Sequence, residues 1–219
     1  MLAVTTTLAG PDGPAFAQSR EVASLFSPVD LGMLEGPDRD QWQQPELVMD
    51  VLGIADGSRV ADVGAGGGWF TVRLGRRVGP NGRVYAQDIQ PLMLDAIRRR
   101  VNAEGLRNVV PVLGTPTDAK LPQGLDAVLI VDTYPQVSDP VALLENVVKS
   151  LAPNGRVGII DFKTDGAGGP GPPPSDRIEP EVITRDAERA GLRLRSHETF
   201  LRYQYLLIFT KRVDGAGGL

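Results

Sequence analysis

The sequence predicts an α/β fold in which a mostly parallel sheet is covered by helices on both faces. Short apolar runs alternate with helical patterns over residues 45–162. The runs are apolar at nearly every position, which is typical of strands buried on both faces of a parallel sheet. Two further strand patterns follow each other closely near the end of the chain, and such a tightly joined pair is antiparallel.

Each element follows from the spacing of its apolar residues and from the residues that end it. The first helix is predicted over residues 45–53, where Pro45 suits the first turn and Gly53 suits the end. The turn Gly79-Pro80-Asn81-Gly82 ends the second helix. The predicted helices are 45–53, 69–79, 91–103, 139–151 and 180–190, and the predicted strands are 59–64, 83–88, 108–114, 125–132, 155–162, 192–201 and 203–212.

The length of the chain favours one domain. With 219 residues and 42% apolar content, the chain can bury one sizeable core. We place the domain at residues 28–212, with an N-terminal arm over 28–44. Residues 1–27 are expected to be a flexible leader or the remnant of an export signal, and residues 213–219 a disordered tail.

Composition excludes several classes of function. The chain has no cysteine and one histidine, His197, so thiolate nucleophiles and multi-histidine metal centres are excluded, and no metal site is expected. The formal charge of -4 gives no basic field for phosphate backbones, so no nucleic-acid partner is expected. No apolar run reaches the roughly 18 residues of a membrane span, so none is predicted.

The stretch VADVGAGGGWF, Val60 to Phe70, joins the first predicted strand to the next helix through a glycine loop. Such a loop binds either a dinucleotide or S-adenosylmethionine, and the dinucleotide fingerprint G-x-G-x-x-G needs its third glycine for close packing. Counting from Gly64 that position is Trp69, and counting from Gly66 it is Thr71. The spacing therefore disfavours a dinucleotide.

Two carboxylates indicate a different ligand. Asp62 precedes the loop, and a carboxylate there would repel a pyrophosphate but attract the ammonium and sulfonium of S-adenosylmethionine. Asp88 ends the next predicted strand, where an acid accepts hydrogen bonds from ribose hydroxyls. Ile89 follows it as an apolar face for adenine. The glycines of the loop allow close approach of the backbone to the ligand.

Four segments in order, VADVGAGGGWFTVRL, RVYAQDIQ, VLGTPTDAKLP and LDAVLIVDTY, resemble the class I S-adenosylmethionine-dependent methyltransferases over residues 40–212. The resemblance implies a Rossmann-like, seven-stranded sheet in the order 3-2-1-4-5-7-6 with strand 7 antiparallel. It also implies that the cofactor lies against Asp88 and Ile89, with Asp118 near the adenine amino group. The residues implied at the methionine end are Asp62, Gly64, Ala65, Gly66, Gly68 and Asp132.

Two aromatic residues are candidates for the acceptor side. Tyr134 follows the fourth strand, where the family places residues that face the methyl group, so it is a candidate substrate contact and catalytic base. Trp42 lies in the arm, a region that covers the cofactor in this fold. The alternatives are a core tyrosine and a packing tryptophan. Asp118 could equally cap a turn, and the glycine and proline loop 164–176 is expected to cover the acceptor.

The function expected from these features is transfer of a methyl group from S-adenosylmethionine to a small-molecule acceptor. One alternative is a protein that binds S-adenosylmethionine without methyl transfer. Another is an aminopropyl transferase that uses the decarboxylated cofactor, and a dinucleotide enzyme is the most distant. A cytoplasmic location is expected because the cofactor is cytosolic; export is the alternative if residues 1–17 are a signal remnant.

Overall fold

A computed structural model describes residues 22–34, 36–165 and 168–212. Most of the expected leader, 1–27, and the expected tail, 213–219, lie outside the described residues. Six α-helices are described: α1 (Arg39–Gln43), α2 (Pro45–Val51), α3 (Trp69–Val78), α4 (Pro91–Ala103), α5 (Pro140–Ser150) and α6 (Pro180–Arg189). The seven described strands are β1 (Arg59–Val63), β2 (Arg83–Asp88), β3 (Val109–Leu113), β4 (Leu125–Val131), β5 (Leu151–Phe162), β6 (Leu192–Glu198) and β7 (Gln204–Lys211).

The strands form one sheet in the order β3-β2-β1-β4-β5-β7-β6. The pairs from β3 to β5 are parallel, and β7 pairs antiparallel with both β5 and β6. The predicted strand order, with the seventh strand antiparallel, is therefore confirmed.

Both faces of the sheet are buried, as the continuous apolar runs predict. Along β4, Val128 and Ile130 belong to one core cluster, whereas Ala127 and Leu129 belong to another on the opposite face. Alternate side chains of a strand point to opposite faces, so a central strand such as β4 supplies both cores. The first cluster includes side chains of α5 and α6, and the second includes side chains of α2 and α3.

The structure differs from the sequence prediction at several boundaries. The arm carries a 3-10 helix, Pro28–Leu34, and the short helix α1, which the sequence pattern does not reveal. Strand β5 begins at Leu151 because that residue pairs with Leu125 before the register shifts. Strand β6 ends at Glu198, earlier than predicted.

The topology brings the ends of β2, β1 and β4 together. These strands are neighbours and run in the same direction, so their carboxyl ends meet at one edge. Chain order reverses there, between β1 and β4, which is where ligands of open α/β sheets bind. Among the residues described, no helix is long and apolar enough to cross a membrane.

Candidate cofactor site

The structure brings most of the predicted site residues into one cleft at the carboxyl edge of the sheet. The cleft lies across the ends of β1, β2 and β4 and is closed on the outside by residues from the N-terminal segment 22–34, here called the strap. The predicted residues that line it are Asp62, Gly64, Ala65, Gly66, Asp88, Ile89 and Asp132.

The glycines of the loop differ in what a larger side chain would meet at each position. Gly64 has a φ of 70°, and a Cβ there would lie 2.3 Å from Cγ2 of Thr133, so the loop is pressed against the end of β4. Gly66 has a φ of 53°, but a Cβ there would meet nothing within 4 Å. Gly68 (φ 80°) precedes α3 and does not line the cleft. Gly66 therefore leaves open space on the cleft side.

Asp62 is almost fully buried at the end of β1. Its Oδ2 accepts a hydrogen bond from Oγ1 of Thr71 at 2.6 Å. Burial raises the pKa of Asp62 to about 6, although the hydrogen bond from Thr71 and the charge of Arg39 act in the opposite direction. The carboxylate is thus poorly solvated and would gain from a cationic partner.

Asp88 connects the end of β2 to the glycine loop. One carboxylate oxygen accepts from the backbone N–H of Gly66 at 3.0 Å, and the other accepts from the N–H of Gln90 at 2.9 Å. Burial raises the pKa of Asp88, and these hydrogen bonds oppose that shift. Each carboxylate oxygen has a second acceptor site, so the group can still bind a pair of hydroxyls.

Asp132 follows β4 in a strained conformation, with a φ of 54° that non-glycine residues rarely adopt. Its carboxylate accepts hydrogen bonds from Gln204 and, at 3.5 Å, from Gln43. Its side chain is 23% exposed, and this exposed part faces the cleft. Burial raises the pKa of Asp132 to about 6 against the effect of Arg39 and the two glutamines.

Sequence reasoning missed the polar network behind Asp132. Gln43 and Gln204 are fully buried and joined by a 3.0 Å hydrogen bond, although they are 161 positions apart. Arg39 donates from Nε to Oε1 of Gln43 at 2.6 Å, and its Nη2 lies 3.8 Å from Oδ2 of Asp132. Nothing in the local sequence marks these residues, because only the folded sheet brings the arm to β7.

Sequence reasoning also missed the strap. Leu25, Phe26 and Leu31 line the cleft. The backbone N–H of Phe26 donates to Oε1 of Gln136 after β4, and Nε2 of Gln90 after β2 donates to the carbonyl of Phe26. The strap therefore bridges the two sides of the cleft; its apolar residues are the only sequence signal for this position.

Tyr134, the candidate base and substrate contact, lies in the core and not in the cleft. It is 1% exposed, lies in the core cluster with α5 and α6, and its hydroxyl donates to Oδ2 of Asp186 at 2.8 Å. It does not line the cleft. The left-handed turn at Asp132 and the 3-10 helix Tyr134–Gln136 carry the ring away from the sheet edge. Tyr134 therefore packs in the core of this structure, and a catalytic or substrate-contacting role for it stays a prediction.

Trp42 and Asp118 also lie outside the cleft lining. Trp42 packs against Phe162 and Tyr203, with ring centroids 6.0 and 6.1 Å apart, which is the packing alternative. The carboxylate of Asp118 accepts from the backbone N–H of Lys120 at 2.8 Å, which is the turn-cap alternative. Residues 115 and 116 line the cleft in place of Asp118.

The glycine and proline loop packs beside the cleft and does not cover it. A Cβ at Gly169 would lie 2.7 Å from the ring of Tyr203, and one at Gly171 would lie 2.5 Å from the ring of Phe162. The described residues of this loop do not line the cleft. The expected cover over the acceptor is therefore not seen here, and the strap holds that position instead.

Comparison with known proteins agrees with this geometry. Residues 60–155 match the family model described as a methyltransferase domain. The chain is 28% identical over 167 residues to the ubiquinone/menaquinone biosynthesis C-methyltransferase UbiE of Pseudomonas putida, covering 72% of this chain and 64% of that protein. It is also 28% identical to a protein-L-isoaspartate O-methyltransferase of Methanothrix thermoacetophila, covering 64% of this chain and 70% of that protein. The chain thus spans less than two thirds of the UbiE length.

Among solved structures, a SAM-dependent methyltransferase from Aquifex aeolicus superposes with a TM-score of 0.80 and 29% sequence identity. The match covers 84% of this chain and 98% of that one. The sheet order, with the glycine loop after the first strand, is that of the Rossmann-like methyltransferase fold. Residues 60–155 thus match a methyltransferase domain, and the chain is similar to S-adenosylmethionine-dependent methyltransferases over most of its length.

Gly66 and Gly57 form a matched pair for testing the cleft. Both have a positive φ and open space around a Cβ, but only Gly66 lines the cleft. We expect Gly66→Ala and Gly57→Ala each to lower the free energy of unfolding by about 1 kcal/mol, measured by denaturant melts. Only Gly66→Ala should weaken S-adenosylmethionine binding, by about tenfold or more in calorimetry. Equal affinity for the two variants would show that the ligand does not approach Gly66.

Tyr134→Phe tests whether the buried Tyr134 takes part in the reaction. Removing the hydroxyl leaves the carboxylate of Asp186 without this donor, so unfolding should become easier by about 1 to 2 kcal/mol. The affinity for S-adenosylmethionine and the rate of methyl transfer should stay within about twofold of the parent. A folded variant that binds the cofactor but has lost methyl transfer would restore Tyr134 to the reaction.

Proposed function

We propose that this chain transfers a methyl group from S-adenosylmethionine to a small-molecule acceptor. The observation that carries the proposal is the charge of the cleft. The buried Asp62 and Asp88 and the partly exposed Asp132 line it beside a glycine loop, and Arg39 is the one cationic side chain in the lining of the described chain. Such a cleft suits a ligand with an ammonium and a sulfonium and repels a pyrophosphate.

The residues of the cleft fit the parts of this cofactor. Asp62 is placed to receive the ammonium, and the open space over Gly66 admits the ligand against the loop. Asp88 retains acceptor capacity for the two ribose hydroxyls, and Ile89 supplies an apolar face for adenine. Asp132 makes the methionine end of the cleft more negative.

S-adenosylmethionine, when bound, would supply a methyl group on a sulfonium. The acceptor would attack this methyl group in line, and the neutral thioether would leave. The protein then contributes by positioning the reactants and excluding water. The strap is suited to this role. Its hydrogen bonds with Gln136 and Gln90 hold it across the cleft, and Leu25, Phe26 and Leu31 present apolar surface inward.

The strap also favours a small acceptor. The backbone N–H of Ala23 donates to the carbonyl of Pro135 at 3.1 Å, which adds a further tie between strap and sheet edge. A folded macromolecule could not bring a side chain past this cover without displacing it. A small apolar or amphipathic molecule can enter beside Leu25, so we favour that class over the protein acceptor named for one of the relatives.

Methyl transfer itself is tested with cofactor labelled in the methyl group. The chain is incubated with panels of quinols, phenols and amines and with a protein extract, and labelled products are separated by mass. We expect label in a small molecule and none in the protein fraction. Asp62→Ala should reduce cofactor affinity at least tenfold, because the buried partner of the ammonium is lost.

Asp95→Ala is the matched control for Asp62→Ala. Asp95 is an exposed residue of α4 that pairs with Arg98 outside the cleft. Its removal should leave the affinity within about twofold. Cofactor binding without any labelled product would favour the alternative of a binding protein. Absence of binding would contradict the proposal as a whole.

Cofactor binding should depend on pH. Asp62 and Asp132 have pKa values raised to about 6, so each loses its negative charge as the pH falls through 6. The cofactor's ammonium stays protonated over this range, and the affinity should fall about tenfold per carboxylate between pH 7 and pH 5. The charged groups that act on them are Arg39 and Asp88. Calorimetry at five pH values measures this slope, and Asp62→Asn should flatten it. An affinity that is flat or rises toward pH 5 would contradict the assignment.

A further inference from the structure

We propose that the ion pair between Asp40 of α1 and Arg73 of α3 positions the cleft from outside it, by holding Gln43 against Asp132. Neither member of the pair lines the cleft, so both are positioning residues and not contacts of the ligand. The inference rests on the proposed function, since it takes S-adenosylmethionine as the ligand. It extends that function to a surface pair that no motif marks.

Helix α1 stands apart from the apolar cores of the described chain. Its five residues include no member of the core clusters on either face of the sheet. Its one large apolar side chain, Trp42, packs against the rings of Phe162 and Tyr203. The other contacts described for α1 are made by polar or charged side chains, so its position depends on hydrogen bonds and charge.

The joint between α1 and α2 is a single strained residue. Gln44 follows α1 and precedes α2 with a φ of 44° and a ψ of 58°, which non-glycine residues rarely adopt. Such a conformation persists only where the contacts around it hold it. Val48 and Met49 hold α2, because both are buried in the core cluster that includes α3. Contacts of α1 must hold the other side of the joint.

Arg73 binds Asp40 at two points. Its Nε donates to Oδ1 of Asp40 at 2.8 Å, and its Nη2 donates to Oδ2 at 2.7 Å. Its Nη1 donates to the carbonyl of Trp69 at 2.9 Å, and its guanidinium lies 3.5 Å from the centroid of the Trp69 ring. The arginine is therefore fixed on its own helix and presents a planar fork to α1. Such a fork sets the direction of the carboxylate as well as its distance.

A short path leads from this pair to the cleft. Gln43 lies three residues after Asp40, about one helical turn away, and its side chain is fully buried. Its Nε2 lies 3.0 Å from Oε1 of Gln204 and 3.5 Å from Oδ2 of Asp132. The second distance is at the limit of a hydrogen bond, so a small movement of α1 would break it. Asp132, which lines the cleft, would then lose one of its two glutamine donors.

The alternative is an ordinary surface ion pair, which contributes little. The side chain of Asp40 is 61% exposed and that of Arg73 is 21% exposed. The same helix carries such a pair for comparison, because Arg76 pairs with Glu104 at the end of α4. That second pair also lies outside the cleft lining, but it does not contact α1. Glu104→Gln is therefore the matched control for Asp40→Asn.

The first experiment measures the affinity of the full chain for S-adenosylmethionine by calorimetry. Asp40→Asn should weaken binding about fivefold, which is what a well-formed ion pair at a partly exposed site contributes. Arg73→Met should weaken it at least as much, because the contact with the Trp69 ring is lost as well. Asp40→Glu keeps the charge and should recover part of the loss. Glu104→Gln should stay within about twofold of the parent, and thermal melts report separately on folding.

The second experiment tests whether the pair acts through Asp132. Asp132→Asn leaves one side-chain oxygen, which can accept from Gln204 but not from Gln43 as well. This change should itself weaken binding by about tenfold, because a negative charge in the cleft is lost. Adding Asp40→Asn to it should change the affinity by less than about twofold, because the link from α1 to the cleft is already broken.

The outcomes separate this inference from the proposed function. An Asp40→Asn chain within twofold of the parent, or no weaker than Glu104→Gln, would overturn the role of the pair and leave the function standing. A full fivefold loss in the presence of Asp132→Asn would also overturn it, because the pair would then act by another route. A parent chain that does not bind S-adenosylmethionine would overturn the proposed function and this inference together.

Discussion

The structure depends on three carboxylates at the ends of adjacent strands, of which two are buried and one is partly exposed. Asp62, Asp88 and Asp132 lie where β1, β2 and β4 end, and burial raises the pKa of each of them. Hydrogen bonds and one arginine offset this cost only in part. A fold that keeps such charges out of water is less stable without a ligand, and a cation that enters the cleft regains that free energy.

One of these carboxylates, Asp132, connects the N-terminal arm to the sheet through hydrogen bonds. Asp132 is held by Gln43 of α1 and by Gln204 of β7, and both glutamines are fully buried. Removing the arm would leave the buried amide of Gln204 without one of its partners, which costs roughly 1 to 3 kcal/mol. One hydrogen-bond network therefore joins the arm, the last strand and the cleft, although these segments are far apart in sequence.

The sequence predicts well whatever depends on local spacing. Apolar runs identified the strands, and the Asp62 and Asp88 positions followed from the strand ends that they terminate. The sequence could not predict the polar network of Arg39, Gln43 and Gln204, because tertiary contacts bring these residues together. The position of Tyr134 outside the cleft could not be predicted for a related reason: the direction of a side chain after a strand depends on the turn there. The left-handed φ of Asp132 is not visible in the sequence.

Trp69 occupies a position that a dinucleotide loop reserves for glycine, and it also packs against a charged residue of the cleft. In the sequence it occupies the position where a dinucleotide loop needs glycine, and in the structure it begins α3 at the edge of the cleft. Its ring contacts the guanidinium groups of both Arg39 and Arg73. A glycine there would suit a pyrophosphate but would give Arg39 no surface to lie against. The bulky residue that departs from the dinucleotide fingerprint is thus also the one that Arg39 lies against.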